Sequence, residues 1–319
     1  MNLKLAGNMF TDNGEFLDSS TIEALINSGL SAAIFDISKG SNAIECGISK
    51  VLSAFIKLNS PVALILRTPA NRLSEAVLLA AQYKFNYVWI EDKVKPQDIQ
   101  RFFPEPQGLK IIVSIGDMTG LENLIPLCSG FFLENITEGA EQLRRAGKQI
   151  FAPESQSTPN FIDCIVFERP DIHTFEGLKE SGIKINQANY LLSRQPYLNG
   201  NEDIIAYCTV LAAEKCSAKA IIAMTCASGP IDRITSYYPE MPVIAAANRN
   251  VYEGLLLRFC CNYGVLPTAI TKTPVEPGKE VEFARFIAGL YAYKPGDIFV
   301  VTGSYHSQGL KDYIEIVTL

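Results

Sequence analysis

The stretch VALILRTPANRLSEAVLLAAQYKFNYVWIED, Val62–Asp92, places two short β-rich runs on either side of an amphipathic segment. The runs Val62–Arg67 and Tyr87–Asp92 are largely apolar over a length that is typical of buried strands. The intervening segment NRLSEAVLLAAQYK carries apolar residues at helical spacing. A strand, a helix and a second strand in this order predict two parallel strands joined by a helical crossover.

The same alternation recurs through the first half of the chain. Eight runs have the composition of strands: Leu3–Asn8, Ala32–Ser38, Val62–Arg67, Tyr87–Asp92, Lys110–Ile115, Gly130–Asn135, Gln149–Glu154 and Asp163–Glu168. Amphipathic segments such as STIEALINSGL separate most of them, but PESQSTPNFI, before the last run, is too short and too rich in proline for a full helix. Strands that alternate with helices in this number favour a (β/α)8 TIM barrel over an open sheet, and we expect it to occupy residues 1–170.

A second unit is expected after a helical connector. The segment HTFEGLKESGIKINQANYLL is helix-like, and it falls in the connector that we place at residues 171–200. From residue 201 to residue 319, β-rich runs alternate with helix-like segments, and the last two β-rich runs follow each other directly. This order predicts a three-layer α/β domain that ends in a β-hairpin.

Composition and charge argue against some classes of function. The chain has 319 residues, 48% of them hydrophobic, with a formal net charge of -6 and a pI near 5.2. Nucleic-acid binding is not expected, because no basic excess is present to neutralise phosphates. No apolar run is long enough to cross a bilayer and the N-terminus lacks a signal-peptide pattern, so we expect a cytoplasmic protein without a membrane partner. The eight cysteines show no CxxC pair and no zinc-ligand spacing, which indicates reduced thiols.

Two stretches near the C-terminus resemble the C-terminal domain of pyruvate kinases. AKAIIAMTCASGPIDRITSYYPEMPVIAAANRN, Ala218–Asn250, is similar to a strand, phosphate loop and helix of that family, and PGDIFVVTGSYHSQG, Pro295–Gly309, to its closing strand and effector loop. In the first half, INSGLSAAIFDISKG and RRAGKQIFAPES resemble two barrel segments of the same family, in the same order. The resemblance implies a TIM barrel followed by the three-layer α/β/α C-terminal domain of a pyruvate kinase.

The chain departs from this family at the positions that the resemblance marks as catalytic. No lid domain is inserted after the third barrel strand, because VALILRTPANRLSEA runs directly into the next helix. The family's phosphate-directed arginine, Asp-Thr pair, lysine, metal carboxylates and proton-assisting threonine are replaced at Ile34, Ile65, Leu66, Ser114, Gly116, Asn135, Thr137 and Glu154. Phosphoryl transfer depends on such cations and metal ligands, so we expect an inactive chain that lacks the Mg and K sites of the family.

Four residues are candidates for a residual metal site. Asp36 falls where the family has an asparagine of its potassium site, and Ser38 keeps a serine of that site. Asp117 and Glu138 each follow directly after a position where the family has a metal-binding carboxylate and this chain does not. If the loop backbone were displaced by one residue, their carboxylates would lie at the barrel mouth. The alternative is that these carboxylates are ordinary polar residues at helix starts, where acids favour the helix dipole.

Acidic residues collect at the predicted carboxyl ends of the barrel strands, where barrel enzymes place their chemistry. They are Asp36, Glu91, Asp92, Asp117, Glu134, Glu154 and Glu168. A barrel with a new chemistry would use them as metal ligands or as an acid/base pair. Alternatively, they are solvated residues that cap the helices that follow. The two histidines, His173 and His306, lie away from the expected barrel mouth.

The C-terminal loops contain a candidate phosphate site. In many pyruvate kinases the matching loops bind a sugar-phosphate activator, and the matching positions here are Thr225, Ser228, Gly229, Ser304, Ser307 and Gly309. Small polar residues of this kind suit a nest of backbone amides around a phosphate. Pro230 removes one amide donor, and the alternative is a set of plain turns.

The leading hypothesis from the sequence is a pyruvate kinase-like pseudoenzyme. It would form a homo-oligomer, or a hetero-oligomer with an active pyruvate kinase, and tune the stability or regulation of that enzyme. The alternatives are a divergent pyruvate kinase with residual phosphotransferase activity, a sugar-phosphate sensor, and a barrel whose acidic mouth has been repurposed.

Overall fold

The computed structural model describes most of the chain. The described residues are 4–58, 62–103, 109–116, 119–134, 140, 142–143, 146, 148–154, 162–180, 200–225, 231, 233–234, 237, 239, 241–248, 265–270, 279–303 and 313–319. The chain divides into two compact units, Asn2–Lys184 and Ile185–Leu319. The expected domain bounds at residues 170 and 200 stay predictions.

The first unit is a closed barrel of eight parallel strands. They are β1 (Lys4–Asn8), β2 (Leu30–Asp36), β3 (Ala63–Thr68), β4 (Tyr87–Ile90), β5 (Lys110–Ile115), β6 (Gly130–Leu133), β7 (Gln149–Pro153) and β8 (Cys164–Phe167). Each strand pairs with the next one in the chain, and β8 pairs with β1 to close the barrel. The predicted closed barrel of eight parallel strands is therefore confirmed, and it is consistent with a TIM barrel.

Helices surround this barrel. They are α1 (Ser19–Asn27), α2 (Ser41–Leu58), α3 (Leu73–Gln82), α4 (Pro96–Phe102), α5 (Leu121–Leu124) and α6 (Ile172–Glu180). Asp18 precedes α1, and its carboxylate accepts hydrogen bonds from the Thr21 backbone N–H and hydroxyl, which satisfies a donor that the first helical turn leaves free. None of the described helices has both the length and the apolar character needed to cross a membrane.

Strand β3 shows how the barrel divides its side chains. Leu64 and Leu66 belong to the apolar cluster that packs the strands against the helices. Successive side chains of a strand point to opposite faces, so Ile65 and Arg67 lie on the lumen side. The contact between Arg67 and Glu168 agrees with this assignment, because β1 and β2 separate β3 from β8 in the closed sheet.

Strand β2 ends earlier than the sequence predicts. The expected run was Ala32–Ser38, whereas the strand spans Leu30–Asp36 and is followed by a 3-10 turn over Ile37–Lys39. The Asp36 carboxylate causes this ending, because its Oδ1 accepts a hydrogen bond of 2.7 Å from the Ser38 backbone N–H. Asp36 is thereby fixed at the carboxyl end of the strand, and Ser38 leaves the sheet.

The second unit contains a five-stranded sheet. Its strands are β9 (Ala220–Thr225), β10 (Val243–Asn248), β11 (Val265–Ile270), β12 (Ile298–Gly303) and β13 (Tyr313–Thr318), in the order β11-β10-β9-β12-β13. The first four are parallel, and β13 runs antiparallel to β12, as expected for the predicted hairpin.

Two helices cover the opposite faces of this sheet. Ile221 of β9 shares an apolar cluster with Val210 of α7 (Gly200–Lys215), and Ile222 shares another with Ile287 of α8 (Glu280–Leu290). Because neighbouring residues of β9 face different helices, the described part of the unit has three layers. Its identification as the C-terminal domain of a pyruvate kinase stays a prediction.

Packing around Gly47 of α2 gives the first testable prediction. A Cβ on this glycine would lie 2.2 Å from Cε2 of Phe16, whose ring stacks on Phe35 with centroids 5.7 Å apart. We expect Gly47→Ala to lower the free energy of unfolding by about 1–3 kcal/mol, because the ring must leave its packed position. Urea denaturation followed by circular dichroism measures the change.

Gly177 of α6 provides the matched control, since a Cβ there would meet no atom within 4 Å. Gly177→Ala should be neutral or should stabilise by up to about 1 kcal/mol, because alanine is the better helix former. Equal stability of the two variants would contradict the described packing of Phe16.

Candidate functional site

The site lies at the carboxyl ends of the barrel strands, with Arg67 of β3 at its centre. Asp36 ends β2, Glu91 follows β4 and Glu168 follows β8, so the closed sheet brings three carboxylates to the same end of the barrel as the guanidinium. The Arg67 side chain is only 10% exposed. A guanidinium that is removed from water in this way requires acceptors close by.

Each carboxylate approaches a different nitrogen of Arg67. The distance is 2.5 Å from Nη1 to Oε1 of Glu168, 3.3 Å from Nη2 to Oδ2 of Asp36, and 3.5 Å from Nε to Oε1 of Glu91. The first two contacts are hydrogen bonds, whereas the buried Nε has no hydrogen-bond acceptor in the described structure. Asn8 of β1 supports the cluster by donating from Nδ2 to Oε2 of Glu168 at 3.3 Å.

An aromatic pair lies beside the guanidinium in the lumen. The Arg67 Cζ is 5.5 Å from the centre of the Trp89 ring, a distance that suits a cation–π contact. Trp89 donates from Nε1 to the Ser114 Oγ at 2.8 Å, and its ring lies 4.7 Å from that of Phe132. Arg67 therefore contacts carboxylates at the barrel mouth and the Trp89 ring in the lumen.

The three carboxylates respond differently to their surroundings. Burial alone would raise the pKa of Asp36, but hydrogen bonds from Ser38 and the charge of Arg67 lower it below its ordinary value. Burial also raises the pKa of Glu91, and there the repulsion from Asp36 and Glu168 adds to burial and outweighs the attraction of Arg67. The pKa values of two carboxyl groups beside the same guanidinium thus move in opposite directions. Asp36 stays ionised more readily than an ordinary aspartate, and Glu91 takes up a proton more readily than an ordinary glutamate.

The charge balance makes this mouth a poor site for phosphate. Three carboxylates surround one guanidinium, which gives the cluster a net charge of −2 when all of its members are ionised. The carboxylates occupy the faces of Arg67 that an anion would otherwise use, and they repel a further negative charge. The arrangement suits proton exchange or a ligand that is neutral or positively charged.

Several positions that the sequence analysis singled out lie in this part of the barrel. Ile34 and Ile65 are buried opposite each other on β2 and β3, and Leu66 is buried on the side that faces the helices. Ser114 is bonded to Trp89, and Gly116 is exposed just after β5. The lumen side of β2 and β3 thus carries isoleucine at two positions where the resemblance implied charged groups.

Only some of the predicted acids come together. Asp36, Glu91 and Glu168 meet at Arg67, whereas Asp92 turns toward the start of α3 and accepts a hydrogen bond of 3.3 Å from the Ala70 backbone N–H. Glu134 and Glu154 are exposed after their strands. Ser38 is exposed, and its backbone N–H and its side chain both support the Asp36 carboxylate.

Other candidate positions lie outside the described residues. They are Asp117, Asn135, Thr137, Glu138, Ser228, Gly229, Ser304, Ser307 and Gly309. Thr225 is described as the last residue of β9. The metal and effector-phosphate assignments at these positions stay predictions. In the described ranges, no three histidine, cysteine, aspartate or glutamate side chains are grouped so as to hold a metal ion.

Arg67 is the residue that the sequence analysis missed. It was read only as the last residue of a strand, although its separation of two positions from Ile65 places it on the lumen side of a buried run. A charged residue on that side must meet acceptors from other strands. The predicted gathering of acids at the same end of the barrel was the signal that would have identified its partners.

Comparison with known proteins relates the chain to pyruvate kinase over a limited length. Pyruvate kinases of Chlamydia trachomatis serovars L2 and D are each 36% identical to it over 98 residues. The match covers 30% of this chain and 17% of each of those proteins, so it spans about a sixth of the length of these relatives. No protein-family model matches the chain. These matches support a distant relationship to pyruvate kinase.

Removal of the guanidinium tests the role of the cluster in stability. Arg67→Met keeps much of the side-chain volume but leaves three carboxylates without a counter-charge. We expect the free energy of unfolding at pH 7 to fall by about 3 kcal/mol, at the low end for a broken buried pair because Glu91 and Glu168 are partly solvated, with side chains 40% and 59% exposed. Chemical denaturation measures the loss.

The same substitution at Arg169 is the control, because that residue forms an exposed pair with Asp12 at 2.8 Å. Arg169→Met should cost less than about 1 kcal/mol, as exposed ion pairs contribute little. If both variants lose the same small amount, Arg67 is not the electrostatic centre of the barrel mouth.

Proposed function

We propose that the chain is a pyruvate kinase-like protein that does not catalyse phosphoryl transfer, and that it acts by associating with itself or with an active pyruvate kinase. The observation that carries this proposal is the ion pairing of Arg67, whose guanidinium at the barrel mouth is surrounded by three carboxylates. In such an assembly the chain would tune the stability or regulation of the active enzyme.

The first argument concerns the charge that phosphoryl transfer requires. Catalysis of this reaction rests on cations that neutralise the transferring group. Ile34 and Ser114 stand where the resemblance implies an arginine and a lysine, and each such loss is worth roughly 3–5 kcal/mol of transition-state stabilisation. The net negative cluster at Arg67 adds repulsion toward phosphoenolpyruvate and ADP, both of which are anions.

The second argument concerns closure over a substrate. Strand β3 ends at Thr68, a short 3-10 turn spans Ala70–Arg72, and α3 begins at Leu73. This direct passage favours a chain without the inserted lid that would exclude water from a transferring phosphoryl group. The barrel core and the second unit's sheet are both well packed, which favours a scaffold that has kept its fold for a role other than this chemistry.

The third argument concerns surfaces that favour association. Phe286 and Leu290, four residues apart on α8, are both exposed, and so are Ile56 of α2 and Leu78 of α3. Residues four apart lie on one side of a helix, so the α8 pair forms a local apolar stripe. Exposed apolar side chains on both units are compatible with an assembly that uses more than one surface.

An activity assay combined with a sizing experiment tests this proposal. The purified chain should give no turnover of phosphoenolpyruvate and ADP in the presence of magnesium and potassium, because the cationic groups of the reaction are missing. Light scattering should show either a homo-oligomer or a complex with the active pyruvate kinase of the same cell. The active enzyme measured alone is the control in both experiments.

Two outcomes would count against the proposal. Clear turnover by the isolated chain would support the alternative of a divergent pyruvate kinase with residual activity. A strictly monomeric chain that leaves both the size and the activity of the active enzyme unchanged would argue against a partner role.

A second candidate is a repurposed acid/base site at the same mouth. The observation that favours it is the opposite displacement of the Asp36 and Glu91 pKa values beside one guanidinium. In many enzymes, two carboxyl groups whose pKa values are displaced in opposite directions serve as the ionised base and the protonated acid. The ligand of such a site would be neutral or positively charged, since the cluster repels anions.

A thermal-shift screen distinguishes this candidate from a sugar-phosphate sensor. If the acidic mouth binds ligands, neutral or cationic small molecules should raise the Tm of the wild-type chain and not that of Asp36→Asn, whereas sugar phosphates and nucleotides should have no effect. Glu75→Gln, at an exposed pair on α3, is the control and should respond like the wild type. Stabilisation by sugar phosphates alone would contradict the acid/base site and favour the C-terminal loops.

A further inference from the structure

We propose that Glu91 is a proton-controlled latch on Arg67. In its ionised form the carboxylate closes onto the Nε of Arg67, and in its protonated form it releases the guanidinium to Asp36 and Glu168. The ligand of this site is the proton, and the moving part is the Glu91 side chain. The latch goes beyond the proposed function, because it operates whether or not the chain associates or catalyses a reaction.

The first step in the argument is the unsatisfied Nε of Arg67. Its two Nη atoms donate to Asp36 and Glu168, but the Nε is inaccessible to solvent and has no hydrogen-bond acceptor in the described structure. A buried donor of this kind favours any movement that brings an acceptor to it.

The second step is the position of Glu91. Its Oε1 lies 3.5 Å from the Nε, which is within ion-pair range but does not meet the geometry of a hydrogen bond. Glu91 follows β4 in a segment without regular structure, and its side chain is 40% exposed. A shift of the carboxylate is enough to complete the bond, and the solvent side leaves room for the opposite movement.

The third step is the set of charges that face Glu91. Arg67 on β3 attracts its ionised form, while Asp36 at the end of β2, Glu168 after β8 and the neighbouring Asp92 repel it. Burial and these three carboxylates raise the pKa of Glu91 above its ordinary value of 4.5, and Arg67 only partly offsets them. The two forms of Glu91 are thus closer in free energy near neutral pH than those of a solvated glutamate.

The structure also contains a reporter for the latch. Trp89 is the single tryptophan of the chain, and it precedes Glu91 by two residues. Its ring lies 5.5 Å from the Arg67 Cζ, and its Nε1 donates to Ser114. A change in the position or field of the guanidinium will alter the emission of this indole.

The test is a titration of tryptophan emission in the full chain between about pH 4 and pH 8, a window around the ordinary pKa of glutamate. We expect a wild-type transition with a midpoint above the ordinary value for glutamate. It should be absent in Glu91→Gln and present in Asp92→Asn, the matched neighbour. Circular dichroism is recorded in parallel so that local change is separated from unfolding.

A second variant distinguishes the latch from a merely structural contact. Glu168→Gln removes one repelling charge and frees part of the guanidinium, and both effects favour ionised Glu91. The midpoint should therefore move down by roughly 0.5–1 pH unit. A contact without proton coupling would not move the midpoint.

The proposal is overturned if the wild-type emission shows no transition above the ordinary range of glutamate, or if the transition survives in Glu91→Gln. It is also overturned if the emission change coincides with loss of the circular dichroism signal. Because the wild-type and Glu168→Gln chains test the proposal independently, a Glu91→Gln chain that fails to fold does not leave it untested.

Discussion

The guanidinium of Arg67 is a full positive charge that is almost completely buried, and the charged residues of the barrel mouth are positioned to compensate for it. Strands β2, β3, β4 and β8 each deliver one charged group to this point, and β1 contributes Asn8 as a further donor. Burial of a charge is unfavourable unless nearby groups compensate for it. The pair between Arg67 and Glu168 joins β3 to β8, two strands that are not neighbours in the sheet.

The same constraint decides which chemistry the mouth can support. An arginine that faces an open site attracts anions, but this one already has more negative neighbours than it can neutralise. The pKa values of Asp36 and Glu91 move in opposite directions, because hydrogen bonds from Ser38 and the charge of Arg67 outweigh burial at Asp36, whereas burial and the neighbouring carboxylates act together at Glu91.

The sequence predicted the barrel because periodicity alone carries that information. Runs such as Ala63–Leu66 are apolar on both faces, as expected where one face meets helices and the other fills the lumen. The gathering of acids was also predictable, since parallel strands all end on one side. Which of the six described acids meet at Arg67 was not predictable, because it depends on side-chain reach and on local hydrogen bonds such as that from Ser38 to Asp36. The strand order of the second sheet likewise depends on crossovers that composition does not record.

Closure of the barrel joins the two ends of the first unit, and this affects how the chain is made. Strand β1 pairs with β8, and the Asn8–Glu168 hydrogen bond spans 160 positions of sequence. Contacts at such separation form late, because a long loop must first be closed. While the ribosome is still synthesising β8, β1 keeps an unpaired edge and Arg67 lacks one of its three counter-charges. The nascent barrel therefore exposes an edge open to aggregation until the last of its strands has emerged.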